Sequence, residues 1–138
     1  MRLLLDTCVI IDWLTDADPF ERNVWDILND PDTKLYVSAE TVRELIVSFN
    51  NKKLLSKYWK TAEEMLVAMK EEAMVDILPI SERTMFTYSR LTLNEAMDHR
   101  DPSDHVIIAH AITEHLTLLS SDQKFAFYRS QGLNLIEY

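Results

Sequence analysis

Five short, mainly apolar runs punctuate this chain: Leu3–Leu5, Leu35–Val37, Val75–Leu78, Leu116–Leu119 and Leu133–Ile136. At three or four residues each they are too short for helices and read as strands, Leu3–Leu5 as a fully buried one. The apolar residues between them recur at helical spacing instead. Phe20, Val24, Ile27 and Leu28 form one stripe, broken by Asp30-Pro31-Asp32. Ser38 caps a second helix, in which Val42, Leu45, Ile46 and Phe49 share a face. Trp59, Ala62, Leu66, Met69 and Ala73 make a third stripe, and Ser81 starts another helix after Pro79. Asp101-Pro102-Ser103-Asp104 supplies an N-cap, a proline at the first helical position and an acid in the first turn, ahead of Ile107, Ile108, Ala111 and Ile112. A short aromatic helix follows Asp122. Strands alternating with helices predict an α/β fold, a three-layer sandwich with a mostly parallel central sheet flanked by helices, in one domain spanning 1–138.

Glycine narrows the chemistry. Average usage of roughly 7% predicts about ten in a chain of this length, and there is one, Gly132. A phosphate-binding Walker loop and a dinucleotide fingerprint both need several, so side chains or metal ions must handle any phosphate. The single cysteine, Cys8, excludes a disulfide framework and a Cys-rich zinc site, and with the six methionines it reads as core. No apolar segment matches a signal peptide or a membrane span, so a soluble, cytoplasmic protein is expected. The formal charge of −9 disfavours nonspecific nucleic-acid binding unless cations compensate.

Ligands of open parallel sheets bind beyond the carboxyl ends of the strands. Asp6 directly follows Leu3–Leu5, and Asp122 follows Leu119 after two serines. Glu44 and Asp104 lie in helices that follow strands. Two carboxylates about 4 Å apart repel by about 4 kcal/mol at an effective dielectric near 20. Four in one cleft must therefore take up protons or a cation, and hard oxygen ligands suit Mg²⁺ or Mn²⁺. Each acid also has a plainer reading. Asp6 can end a strand, Asp122 can cap a helix, Asp104 can complement a helix dipole, and Asp101 suits a cap. Glu44 sits opposite the apolar stripe of its helix, on a face shared with Glu40, as on a solvated helix.

The order and setting of these acids resemble those of the PIN-domain nucleases, in particular VapC-type toxins of toxin–antitoxin pairs. LLLDTCVIIDWL resembles the family's opening strand, acid and helix, on Asp6. VSAETVREL resembles its second block, on Glu44. HRDPSDHVIIAHA resembles its His-x-Asp-Pro-x-Asp helix start, on Asp104. LLSSDQKF resembles its fourth block, on Ser120 and Asp122. The blocks span residues 3 to 125. Ser103 and His105 depart from the pattern, standing where Phe and Arg are common, and His105 reads as a surface residue.

The resemblance implies a metal-dependent endoribonuclease. Asp6, Glu44, Asp104 and Asp122 would be catalytic and would hold one or two Mg²⁺ or Mn²⁺ ions, with Thr7 and Ser120 orienting carboxylates or waters. It also implies an RNA substrate, a small antitoxin partner and a homodimer. Arg43, Lys52, Lys53 and Lys57 are candidates for RNA contact, with Lys60, Tyr58 and Trp59 close by, although an exposed helix face with Trp59 turned inward fits that stretch too. His105, His110 and His115 are spaced five apart. Each step turns about 140° around a helix, so they share no face for a metal. The rival readings are a PIN nuclease of RNA processing that is not a toxin, and a catalytically idle α/β binding module.

Overall fold

Each apolar run becomes one strand of a five-stranded sheet. The computed structural model describes residues 1–16, 18–51 and 57–138. Its strands are β1 (Arg2–Leu5), β2 (Lys34–Ser38), β3 (Val75–Leu78), β4 (Thr117–Ser120) and β5 (Asn134–Glu137). They lie in the order β3-β2-β1-β4-β5, and every neighbouring pair is parallel. The connecting helices are α1 (Thr7–Thr15), α2 (Arg22–Leu28), α3 (Ala39–Asn50), α4 (Ala62–Glu71), α5 (Glu82–Arg90) and α6 (Pro102–Thr113). Two 3₁₀ helices, Glu95–Met97 and Gln123–Gln131, complete the framework.

The two-residue period of the strands sorts their side chains onto two cores. Leu3, Leu5, Leu35, Val37, Val75 and Leu119 pack with Val9 and Ile10 of α1, Val24 and Leu28 of α2, Leu45 of α3, and Met65 and Met69 of α4. Leu4, Leu118 and Leu135 point the other way, against Ile107, Ile108 and Ala111 of α6 and against Phe125 and Tyr128. Leu3, Leu4 and Leu5 are all fully buried, so β1 is covered on both faces. That explains the unbroken apolar run of the central strand.

Two elements differ from the sequence reading. Helix α4 starts only at Ala62, because the Thr61 hydroxyl accepts the Glu64 amide at 3.1 Å and so caps it. It buries Met65, Ala68 and Met69, and Trp59 packs partly buried on the same core from before the helix. The aromatic segment after Asp122 winds as a 3₁₀ helix. At three residues per turn, Phe125 and Tyr128 fall on one face, and both are fully buried.

Near absence of glycine leaves left-handed backbone positions to other residues: Met74, Asp98 and His115 all have positive φ. His115 follows α6 as its C′ residue at φ 53°, with Leu116 N–H bonded to Ala111 O at 2.9 Å. Glycine is the favoured residue there. His115→Gly is therefore expected to stabilise the protein by about 0.5–1 kcal/mol. Gly132→Ala, at φ 103°, is expected to cost about 1–2 kcal/mol. Urea midpoints that move in these opposite directions at constant slope would establish both.

The order β3-β2-β1-β4-β5 sends the chain from β1 toward β2 and β3, then back across the sheet to β4 and β5. The winding reverses between β1 and β4, which places a crevice at their carboxyl ends.

Candidate metal centre

At that crevice, Asp6 closes β1 and its amide continues the pairing by donating to Leu119 O at 3.1 Å. Asp6 is nearly enclosed, at 4% exposure, and its carboxylate is hydrogen-bonded on both oxygens. Oδ1 accepts the Thr7 amide at 2.8 Å. Oδ2 accepts the Ser120 hydroxyl at 2.7 Å and the Cys8 thiol at 3.3 Å. Ser120 in turn accepts the amide of Asp122 at 3.1 Å, so one hydroxyl ties the acids that follow β1 and β4. Asp122 also caps its 3₁₀ helix through the Lys124 amide at 2.9 Å. Capping and membership of the cluster are thus compatible.

Glu44 joins from α3. The hydroxyl of Thr7 donates to its Oε1 at 2.7 Å. Glu40 and Glu44, opposite the apolar stripe of α3, are half-buried rather than fully solvated, and α3 packs against both α1 and α6. Glu40 on the same face accepts from the Ser103 hydroxyl at 2.7 Å. Arg43 donates to Glu40 through Nε at 3.0 Å and to Ser103 at 2.9 Å through Nη2. Its side chain remains more than half exposed at the rim.

Asp104 lies in the first turn of α6, beside the cap that Asp101 supplies to the Ser103 amide at 2.9 Å. Asp6, Thr7, Cys8, Asp104, Asp122 and Lys124 help line a cleft of about 580 Å³, and Glu44 stands beside it on Thr7. The four acids named from the sequence therefore meet at one place. Burial, reinforced by Asp101, Asp6, Asp122 and Glu44, pushes the Asp104 carboxyl up to about 8. Burial raises Asp6 and Glu44 as well, against the hydrogen bonds that favour their charged forms.

Among the described residues, no lysine or arginine forms an ion pair with Asp6, Glu44 or Asp104; Lys124 pairs with Asp122 at 3.4 Å. Carboxylate oxygens in electrostatic reach of one another, short of positive charge, fit a hard divalent cation. His99, Asp104 and Asp122 also offer ligand atoms that lie within 4.8 Å of one another.

His99 stands in the HRDPSD block of the sequence, where it carries no assigned role, and the structure brings it to this cluster. Its Nε2 lies 2.9 Å from Asp104 Oδ2. The available signal is its place as the histidine of the His-x-Asp-Pro-x-Asp block, two residues before Asp101. His105 needs correction. It is 2% exposed, not a surface residue, because α6 is buried on most of its circumference. Burial lowers its pKa, so it stays neutral and does not replace an arginine. Cys8 is only partly core: its thiol, raised in pKa by burial, touches the Asp6 carboxylate.

Of the basic candidates, Lys52 and Lys53 lie outside the described residues. Lys57 is exposed and lines a separate hollow with Tyr58, Trp59 and Lys60, sharing no residue with the acidic cleft. No described helix is long and apolar enough to cross a membrane.

The fold has solved counterparts. VapBC-1 from nontypeable Haemophilus influenzae is similar at 21% identity and a TM-score of 0.75, over 99% of this chain and 98% of that one. VapBC2 from Rickettsia felis, solved with a DNA fragment from its promoter, aligns at 19% identity and 0.74 over the same shares. FitAcB from Neisseria gonorrhoeae reaches 26% identity and 0.67, over 98% and 96%. No curated protein sequence matches the chain. The model of the PIN domain matches residues 3–130, nearly the whole length, and the chain belongs to the PIN domain family.

Proposed function

We propose that this chain is a VapC-type toxin, an endoribonuclease that hydrolyses RNA phosphodiesters with Mg²⁺ or Mn²⁺ held by Asp6, Glu44, Asp104 and Asp122. The observation that carries this reading is the gathering of these four acids from distant parts of the chain at one crevice, with Asp104 pushed up to about 8. A bound divalent ion supplies Lewis acidity toward the phosphodiester and offsets charge on its oxygens.

The chain's own residues prepare that chemistry. Thr7 fixes Asp6 through its amide and Glu44 through its hydroxyl. Ser120 fixes Asp6 and the start of the Asp122 turn. With these donors in place the carboxylates need little reorganisation to take up an ion. Arg43, held by Glu40 and Ser103 at the rim, puts positive charge where the RNA backbone enters, and Lys57, in its separate hollow, is a second RNA contact in this reading. Toxin–antitoxin complexes of the same fold from Mycobacterium tuberculosis and Klebsiella pneumoniae support a small antitoxin as partner; a homodimer in the cytoplasm completes the proposal.

The test is cleavage of end-labelled RNA by the purified chain, beside DNA of the same sequence. We expect cuts in RNA alone, with Mg²⁺ or Mn²⁺, and their loss in EDTA. Inducible expression should stop growth and generate new RNA ends. Cleavage that persists in EDTA, or in the Asp6→Asn, Asp104→Asn double variant, would remove the assignment.

A further inference from the structure

His99 is close enough to Asp104 and Asp122 to be counted among the ligands of an ion. The hydrogen bonds behind it point elsewhere. We propose that His99 is a positioning residue for Asp104, locked in the tautomer that carries its proton on Nε2, and is not itself a metal ligand. This rests on the reading of the acidic cluster as a metal site.

The chain of donors starts at a backbone group that has only one role. The amide of Asn94 donates to Tyr128 Oη at 3.1 Å. The tyrosine oxygen lies 3.0 Å from His99 Nδ1, and its own proton has no other acceptor among the described residues. If Nδ1 carried a proton, the fully buried tyrosine would accept twice and leave that proton unmatched. Tyr128 therefore donates, Nδ1 accepts, and Nε2–H donates to Asp104 Oδ2 at 2.9 Å. A ligating nitrogen needs a bare lone pair, and Nε2 has none in this arrangement.

The ring cannot easily escape it. The His99 side chain is fully enclosed, stacked on Phe125 at 5.4 Å and met edge-on by His105 at 4.7 Å and Tyr128 at 5.6 Å. Asn94 is itself anchored, its side-chain amide donating to Lys124 O at 3.1 Å. The consequence falls on Asp104. With Oδ2 taken by His99, the carboxylate plane is set and Oδ1 is left for an ion. Metal-bound histidines are commonly oriented by carboxylates; here the imidazole orients the carboxylate.

Nitrogen-15 spectra of the full chain labelled at histidine read the tautomer directly, without turnover. We expect His99 to show a protonated Nε2 and a bare Nδ1, both before and after Mg²⁺ is added, and Tyr128→Phe to erase that preference. Calorimetry with Mg²⁺ should find His99→Phe weakened about 10–100-fold, and His99→Gln, which restores a donor, closer to the native chain. A proton on Nδ1, loss of the Nε2 proton when Mg²⁺ binds, or native affinity in His99→Phe would each overturn the proposal. The expected tautomer in a chain that cuts no RNA would instead sink the ribonuclease reading and leave the geometry of His99 standing.

Discussion

Asp6→Asn is expected to leave a folded protein whose RNA cleavage, at saturating Mg²⁺, is at least ~100-fold slower. A hundredfold loss corresponds to about 2.7 kcal/mol of transition-state stabilisation. A carboxylate that helps hold the catalytic ion readily accounts for that much. Asparagine keeps the shape and can still accept the Thr7 amide, but its NH₂ meets the Ser120 hydroxyl and the Cys8 thiol, both of which donate to the native carboxylate. Their rearrangement should cost about 1 kcal/mol of stability. The activity loss therefore exceeds anything unfolding would produce. Single-turnover cleavage and a thermal melt on the same preparation separate the two, and a variant within fivefold of native activity would refute the role of Asp6.

Asp104→Asn should do the opposite to stability. In the folded, metal-free chain this carboxyl sits at about 8, against an ordinary 3.8. The folded state thus binds the proton more tightly than the unfolded state does. Stability is greatest below about 4 on this account and is lost as pH rises through about 8. The buried His99, His105 and His110, whose pKa values are lowered, act in the other sense, and their contribution is lost as pH falls below 6.5. The clean window is therefore about pH 7 to 8.5. In EDTA, the native melting temperature should fall across that window. Asp104→Asn should remove most of the fall and be the more stable protein at its upper end by at least ~1 kcal/mol, since a tenfold change in proton affinity is about 1.4 kcal/mol. The amide oxygen can still accept from His99, so nothing else need move. Saturating Mg²⁺ should reverse the order, stabilising only the native chain. Equal pH slopes for the two proteins in EDTA would show that Asp104 carries no such strain.

The strands and caps were legible because their signals are local. Leu3–Leu5 is a buried strand wherever it is placed, and Asp101-Pro102 starts a helix without help from the rest of the chain. Glu44 shows the limit of that reasoning. Periodicity puts it opposite an apolar stripe, which in an isolated helix means water. It is half-buried beside Thr7 because α3 packs against α1 and α6, and the resemblance, not the periodicity, pointed to it. His105 failed for the same reason. Its polarity suggests the surface, but α6 lies under α5 and against the 3₁₀ aromatics, where nearly every direction is interior. His99 lacked any periodic signal at all, since it stands in irregular backbone between the Glu95–Met97 turn and α6.

By itself the sequence determined which segments are strands and helices, that glycine-built phosphate loops are absent, and which acids stand at strand ends or helix starts. These are properties of residues and their near neighbours, set by hydrophobic burial and backbone preference. Only the tertiary structure decided that β1 and β4 adjoin, with Asp6 and Asp122 bridged through Ser120, and that Thr7 links Glu44 to the same crevice. It also decided that Asp104 holds its proton up to about 8. The proton affinity of a carboxyl depends on the water it has lost and the charges around it, and both come from residues far away along the chain.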